Sequence, residues 1–163
     1  MKQMAFWLVL AALVSALGLW PTKAHDAAEL LPAQVLVVDA SRGIVTVRAD
    51  CGGSGSGKNL DEALEDMRAH ASGELFLQTA DYVILSERAW YLLPQAVICG
   101  ALRPAARIIR AEGELPQADT ALTFLQAHPP ELTLTGAYAA RLRGEPVQAQ
   151  TLRQSDGRLS LAG

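Results

Sequence analysis

The sequence predicts one α+β domain, a mixed β-sheet with helices packed on it in the order ββαβαβαβββ. Three observations carry this. Short β-branched and aliphatic runs recur from Ala33 to Leu161, bounded by glycine, proline or Ser-Asp-Gly punctuation. Apolar stripes of helical period follow Asn59 and Gln117, between those runs. The chain has 163 residues, 50% of them hydrophobic, which suits one core and not two full domains.

Charge and cysteine content narrow the class. Charged residues make up 19%, and no block of five like charges marks a disordered tail or a basic arm. A net charge of −3 and a pI near 5.6 give no electrostatic reason to expect nucleic acid. Two cysteines are too few for a disulfide scaffold, so a hydrophobic core must hold the fold.

Residues 1–24 read as a signal peptide or membrane anchor. Lys2 gives a basic start, Met4 to Trp20 is an apolar run of 17 residues, and Thr22-Lys23-Ala24 is an acceptable cleavage triplet. Cleavage would release a chain starting at His25. An uncleaved anchor is the competitor: 17 helical residues span about 26 Å against a hydrocarbon core of about 30 Å. Losing Lys2 and Lys23 from 14 basic residues leaves 12 against 17 acidic ones, a net −5. Export excludes ATP chemistry, cytosolic cofactors and nucleic acid as natural partners.

The α+β domain is expected over residues 33–163. Val35 to Val38 is a β-branched run, Ser41-Arg42-Gly43 turns the chain, and Ile44, Val45 and Val47 begin a second strand with Arg48 and Asp50 emerging into solvent. Gly52 to Lys58 reads as a flexible loop. Asn59 caps the next helix with Glu62 in the capping-box position, and Leu60, Ala63, Leu64 and Met67 form its apolar stripe. That helix ends before Ser72-Gly73.

Tyr82 to Leu85 reads as a short buried strand. Ser86 and Glu87 start a helix through Trp90 to Leu93, which Pro94 kinks or breaks. Trp90 and Tyr91 are adjacent, so one at most faces the core. Ala106 to Ala111 is a strand centred on Ile108 and Ile109. Gln117 to Ala127 is a helix with Ala121, Leu122, Phe124 and Leu125 inward, stopped by Pro129-Pro130. The end reads as β-rich: Leu132 to Leu142, then Val147 to Leu152, then a hairpin at Asp156-Gly157. The sheet is expected to bury Val35, Val37, Ile84, Ile108 and Leu134, and the two helices to pack through Leu64, Met67, Leu122 and Phe124.

Chemistry-bearing motifs are sparse. Gly52 to Asn59 is one residue from a Walker A loop, but Asn59 replaces the hydroxyl residue that holds magnesium, and the preceding strand reads as one arm of a hairpin. The expectation is no nucleotide. His25, His70 and His128 lack zinc-site spacing. Cys51 and Cys99 are open between a disulfide formed after export and unpaired thiols. The carboxylates Asp61, Glu62, Glu65 and Asp66 read as a solvated helix face. Catalytic, cofactor-binding and metal-ligating residues are expected to be none, the chain is not expected to be an enzyme, and no cofactor is implied.

A family pattern emerges from the order of the segments. Gly18-Leu19-Trp20 and Glu29-Leu30 are followed by Val37-Val38-Asp39 and Ile44-Val45-Thr46-Val47. Gly57-Lys58-Asn59-Leu60-Asp61-Glu62-Ala63-Leu64 comes next, then Val83-Ile84-Leu85-Ser86-Glu87-Arg88-Ala89, then Arg107 to Gly113 and on to Leu125. In this order they resemble the Ger(x)C family, the C subunits of spore germinant receptors in endospore-forming bacteria, over roughly residues 29–125. That family opens on a lipoprotein signal ending in Gly-Cys-Trp. It continues as strand, turn and strand, a Gly/Ser insertion and helix, a strand running into an acid and alanine, and a βα unit. Leu19 stands at the lipidated cysteine, so thioether lipidation is not available there. Only the first of the family's domains is covered.

The resemblance implies a non-enzymatic spore germination protein, exported or membrane-associated, acting through membrane-embedded germinant receptor subunits. It places the chain on the outer face of the cytoplasmic (inner spore) membrane, or secreted if residues 1–24 are removed. The alternative is an exported small-ligand or cell-wall binding module unrelated to germination.

Overall fold

The β-branched run at Val35 becomes the centre of the protein. In the computed structural model, which describes residues 30–163, strand β2 (Val35–Ser41) pairs antiparallel with β3 (Ile44–Ala49) on one side. On its other side it pairs parallel with β6 (Tyr82–Ser86). Val35, Leu36, Val37 and Val38 are all buried, because helices cover both faces of the sheet here. The β2–β3 turn places Arg42 and Gly43 at φ 52° and 79°, the two-residue geometry whose twist matches the strands it joins.

Seven strands form the main sheet in the order β4-β3-β2-β6-β7-β8-β9. Strand β4 (Ser54–Gly57) is antiparallel to β3, β7 (Arg107–Glu112) is parallel to β6, and β8 (Thr151–Ser155) is parallel to β7. Strand β9 (Arg158–Ala162) closes the far edge as a hairpin through Asp156-Gly157. A parallel centre of four strands is thus flanked by antiparallel strands, and the expected mixed sheet with packed helices is the observed architecture. A separate two-stranded parallel ribbon joins β1 (Leu30–Pro32) to β5 (Glu74–Phe76).

Strand alternation divides the core between two faces. Leu36, Val38, Val45, Val47, Val83, Leu85 and Ile108 face helices α1 (Leu60–His70), α2 (Leu93–Ile98) and α4 (Leu134–Leu142). Val35, Val37, Ile84, Ile109 and Leu152 face α3 (Ala118–Ala127). In α1, Leu64 and Met67 are buried as expected. In α3 the fully buried line is Ala121 and Leu125, with Leu122 and Phe124 half-buried at its margins. A lone helix on a broad sheet face leaves both its flanks open.

Several expectations are corrected. Residues 52–58 are not a flexible loop: after a turn at Gly52-Gly53 the chain forms β4. Leu132 to Leu142 is not a strand. Thr133 caps α4 by accepting a hydrogen bond from Gly136 N at 3.1 Å, and Leu134 and Ala137, one turn apart, are buried on α2's side of the sheet. Leu134 is therefore a core residue of a helix. Strand β8 begins at Thr151, so Val147 to Gln150 lies outside it. Pro94 begins a helix and does not break one: a 3-10 turn spans Glu87–Leu92, and Pro94 sits in the first turn of α2, where a missing N–H costs nothing. Asp50 does not emerge into solvent, since its Oδ1 accepts hydrogen bonds from Gln34 N and Val35 N at 2.8 and 2.9 Å and ties down the start of β2. Trp90 packs against the core while Tyr91 is exposed. Residues 1–24, His25 and Leu19 lie outside the described residues.

Candidate functional site

The sheet's connectivity singles out one place. The chain leaving β6 turns onto the face that carries α1, α2 and α4, whereas the chain leaving β7 turns onto the opposite face and enters α3. Adjacent parallel strands whose exits diverge leave a crevice outside their carboxyl ends, the usual position of ligands on open sheets with parallel strands. A cavity of about 500 Å³ lies there. Asp39 of β2 and Arg48 of β3 wall one side, Ser86, Glu87 and Arg88 form the middle, and Ala111, Gly113 and Leu115 complete it.

Strand register explains the polar wall. Asp39 pairs with Thr46 and Arg48 with Val37, so Asp39 and Arg48 share the sheet face of Val35 and Val37. Toward the outer end of β3 that face carries Asp39, Thr46 and Arg48 beside an exposed Ile44. Arg48 and Ser54 also border the first turn of α3 through Gln117, Ala118 and Asp119.

Ser86 is 6% exposed and is the one buried polar residue among the described residues. Its Oγ accepts a hydrogen bond from Ala89 N at 3.0 Å and so caps the 3-10 turn. The hydroxyl proton has no acceptor among the described residues. Glu87 accepts from Arg110 Nη2 at 2.6 Å, and next to it Glu112 pairs with Arg153 at 2.7 Å. Asp39, Arg48 and Arg88 have no ion pair or side-chain hydrogen bond among the described residues. With Glu87 matched by Arg110, the crevice carries two unmatched cations against one unmatched anion. This arrangement can hold a small anion. No hydrogen bond joins the Ser86 hydroxyl to a carboxylate or an imidazole among the described residues.

The motif-like segments sit elsewhere. The amides that a phosphate loop would turn toward a ligand are engaged inside the fold: Ser56 N donates to Asp66 Oδ2 at 2.8 Å and Lys58 N to Glu62 Oε2 at 2.9 Å. Asn59 Oδ1 accepts from Glu62 N at 2.8 Å as the helix cap. The glycines of this stretch have a packing role. A Cβ on Gly55 would stand 2.3 Å from Ala63 O and Met67 N, and one on Gly57 2.5 Å from Glu62 Cβ, so α1 lies directly on the backbone of β4. Of the clustered carboxylates on α1, Glu62 and Asp66 bind backbone N–H groups of that same stretch.

His70 ends α1, its Nδ1 3.2 Å from Asp66 Oδ1, and His128 ends α3 stacked on Phe124 with ring centroids 4.7 Å apart. No group of three metal-ligating side chains occurs among the described residues. Cys51 and Cys99 are both free and half-buried against the same core. The exposed pair Arg143–Glu145, at 2.7 Å, holds the Glu145 carboxyl below the ordinary carboxylate range through the arginine's hydrogen bonds. Sequence reading missed the crevice because Asp39, Arg48, Ser86 and Arg88 carry no motif. No family model, curated protein or solved structure matches the chain.

Proposed function

We propose that this chain is a non-enzymatic spore germination protein of the germinant receptor C type, exported or membrane-associated, that acts by binding membrane-embedded receptor subunits. One observation carries the reading beyond sequence order. The segments that resemble the family from Val37 onward take up the family's own succession of elements. Val37 to Val47 is strand, turn and strand, Leu60 begins a helix, Val83 to Ala89 is a strand running into a turn, and Arg107 to Leu125 is a strand followed by a helix. Their strands are also neighbours in space, as β3, β2, β6 and β7 of one sheet.

Membrane association in this reading rests on residues 1–24 or on the partner subunits. Among the described residues no helix is long and apolar enough to cross a membrane. The test is cross-linking in the native host during sporulation, followed by mass spectrometry of the membrane fraction. The expected result is recovery of the chain with multispanning receptor proteins. Recovery free of any membrane protein, with unchanged germination in a deletion strain, would refute the proposal.

A further inference from the structure

We propose that the crevice outside the carboxyl ends of β2, β6 and β7 binds a small hydroxycarboxylate. Its carboxylate is taken by Arg48 and Arg88, and its hydroxyl lies between Ser86 and Asp39. The site is independent of any receptor partner.

The charge balance selects the anion. Glu87 is matched by Arg110, which leaves Arg48 and Arg88 against Asp39, a surplus of one positive charge in the crevice. A single carboxylate neutralises that surplus, whereas a phosphate dianion would overshoot it beside two resident carboxylates. Guanidinium groups offer a planar fork that a carboxylate meets with two parallel hydrogen bonds. Neither arginine has to leave a protein partner among the described residues to do so.

The neutral groups select the hydroxyl. Ser86 is 94% buried, since 6% of it is exposed, and its Oγ already accepts from Ala89 N; what it still offers is a proton. Asp39 offers only acceptors. A ligand hydroxyl accepts from Ser86 and donates to Asp39 at once. An ammonium group would serve Asp39 and leave the Ser86 proton without an acceptor. Volume sets the scale: about 500 Å³ admits a ligand well beyond three carbons, so longer hydroxyacids fit as well as the smallest.

Lactate, propionate and alanine share one skeleton and differ at the position in question. Calorimetry on the full chain in detergent should show saturable binding of lactate, and of the longer gluconate, at up to about 50 mM. Propionate and alanine should bind about tenfold or more weakly, and inorganic phosphate no better than propionate. Arg48→Gln and Arg88→Gln should each weaken lactate about tenfold or more, because each removes a charge-assisted contact. Ser86→Ala should reduce lactate to the level of propionate and leave propionate unchanged. Arg158→Gln, on the far edge strand, should change nothing. Absence of saturable binding by both hydroxyacids overturns the site, as does binding that survives Arg48→Gln and Arg88→Gln together. Preference for alanine or phosphate overturns the ligand class.

Discussion

Replacing Gly55 with alanine exchanges one hydrogen for a methyl group, yet it should be among the most damaging small substitutions in this protein. The new Cβ would stand 2.3 Å from both Ala63 O and Met67 N and 2.7 Å from Met67 Cα. These are backbone atoms of α1 and cannot swing aside, so the helix must retreat by about 1 Å to restore contact distance. Leu60, Ala63, Leu64 and Met67 are each 0–1% exposed, and a retreat of that size forfeits a quarter to a half of each dispersion contact they make with the sheet. Overpacking typically costs about 1–3 kcal/mol. The loosened helix adds to that, and the stiffer unfolded chain offsets about 0.4–1 kcal/mol. The expected net loss is about 2–4 kcal/mol. With a urea slope of about 1–3 kcal/mol/M, the unfolding midpoint should fall by about 1–2 M. Gly53→Ala is the control, because the atoms nearest its Cβ are side-chain ones, Met67 Cγ at 3.3 Å and the Leu75 methyls at 3.4 Å. It should shift stability by about 0.5 kcal/mol or less. Equal midpoints for the two variants would refute the claim that α1 rests on the β4 backbone.

Asn59→Ala removes the acceptor for Glu62 N and should destabilise the chain by about 1 kcal/mol in the same urea assay, while Lys58→Ala changes little. The Glu145 carboxyl, followed by NMR, should titrate below an ordinary glutamate and return to normal in Arg143→Gln. Because its folded pKa is depressed, any stabilisation it gives is present above the unfolded pKa and is lost as pH falls through the folded one; screening by solvent at this exposed pair keeps that effect small. Metabolic labelling with a fatty-acid analogue should leave the natural chain unlabelled at Leu19, which has no thiol, and Leu19→Cys should acquire label. An unlabelled Leu19→Cys variant would count against the resemblance to the germinant receptor family.

What the sequence determined by itself was local in origin. The VLVV run, the Asn59 and Glu62 cap, the strand at Ile108 and the Pro129-Pro130 stop each act within a few residues, through sterics, short hydrogen bonds or a side-chain period. Those elements stand where their composition puts them, and with them the mixed sheet. Tertiary structure decided whatever depended on a distant neighbour. Gly-Ser-Gly-Ser-Gly is flexible as a composition, but α1 needs a strand face without side chains to lie on, which Gly55 and Gly57 provide, and only glycine lets the two backbones approach so closely. Leu132-Thr133-Leu134 alternates like a strand, yet a helix buries Leu134 and Ala137 together on the α2 side of the sheet and gives Gly136 N a cap in Thr133. The crevice belongs to the same class. Asp39, Arg48, Ser86 and Arg88 are polar residues in three separate stretches of chain. They meet because β6 and β7 send the chain to opposite faces of the sheet, a choice made by packing across the whole fold.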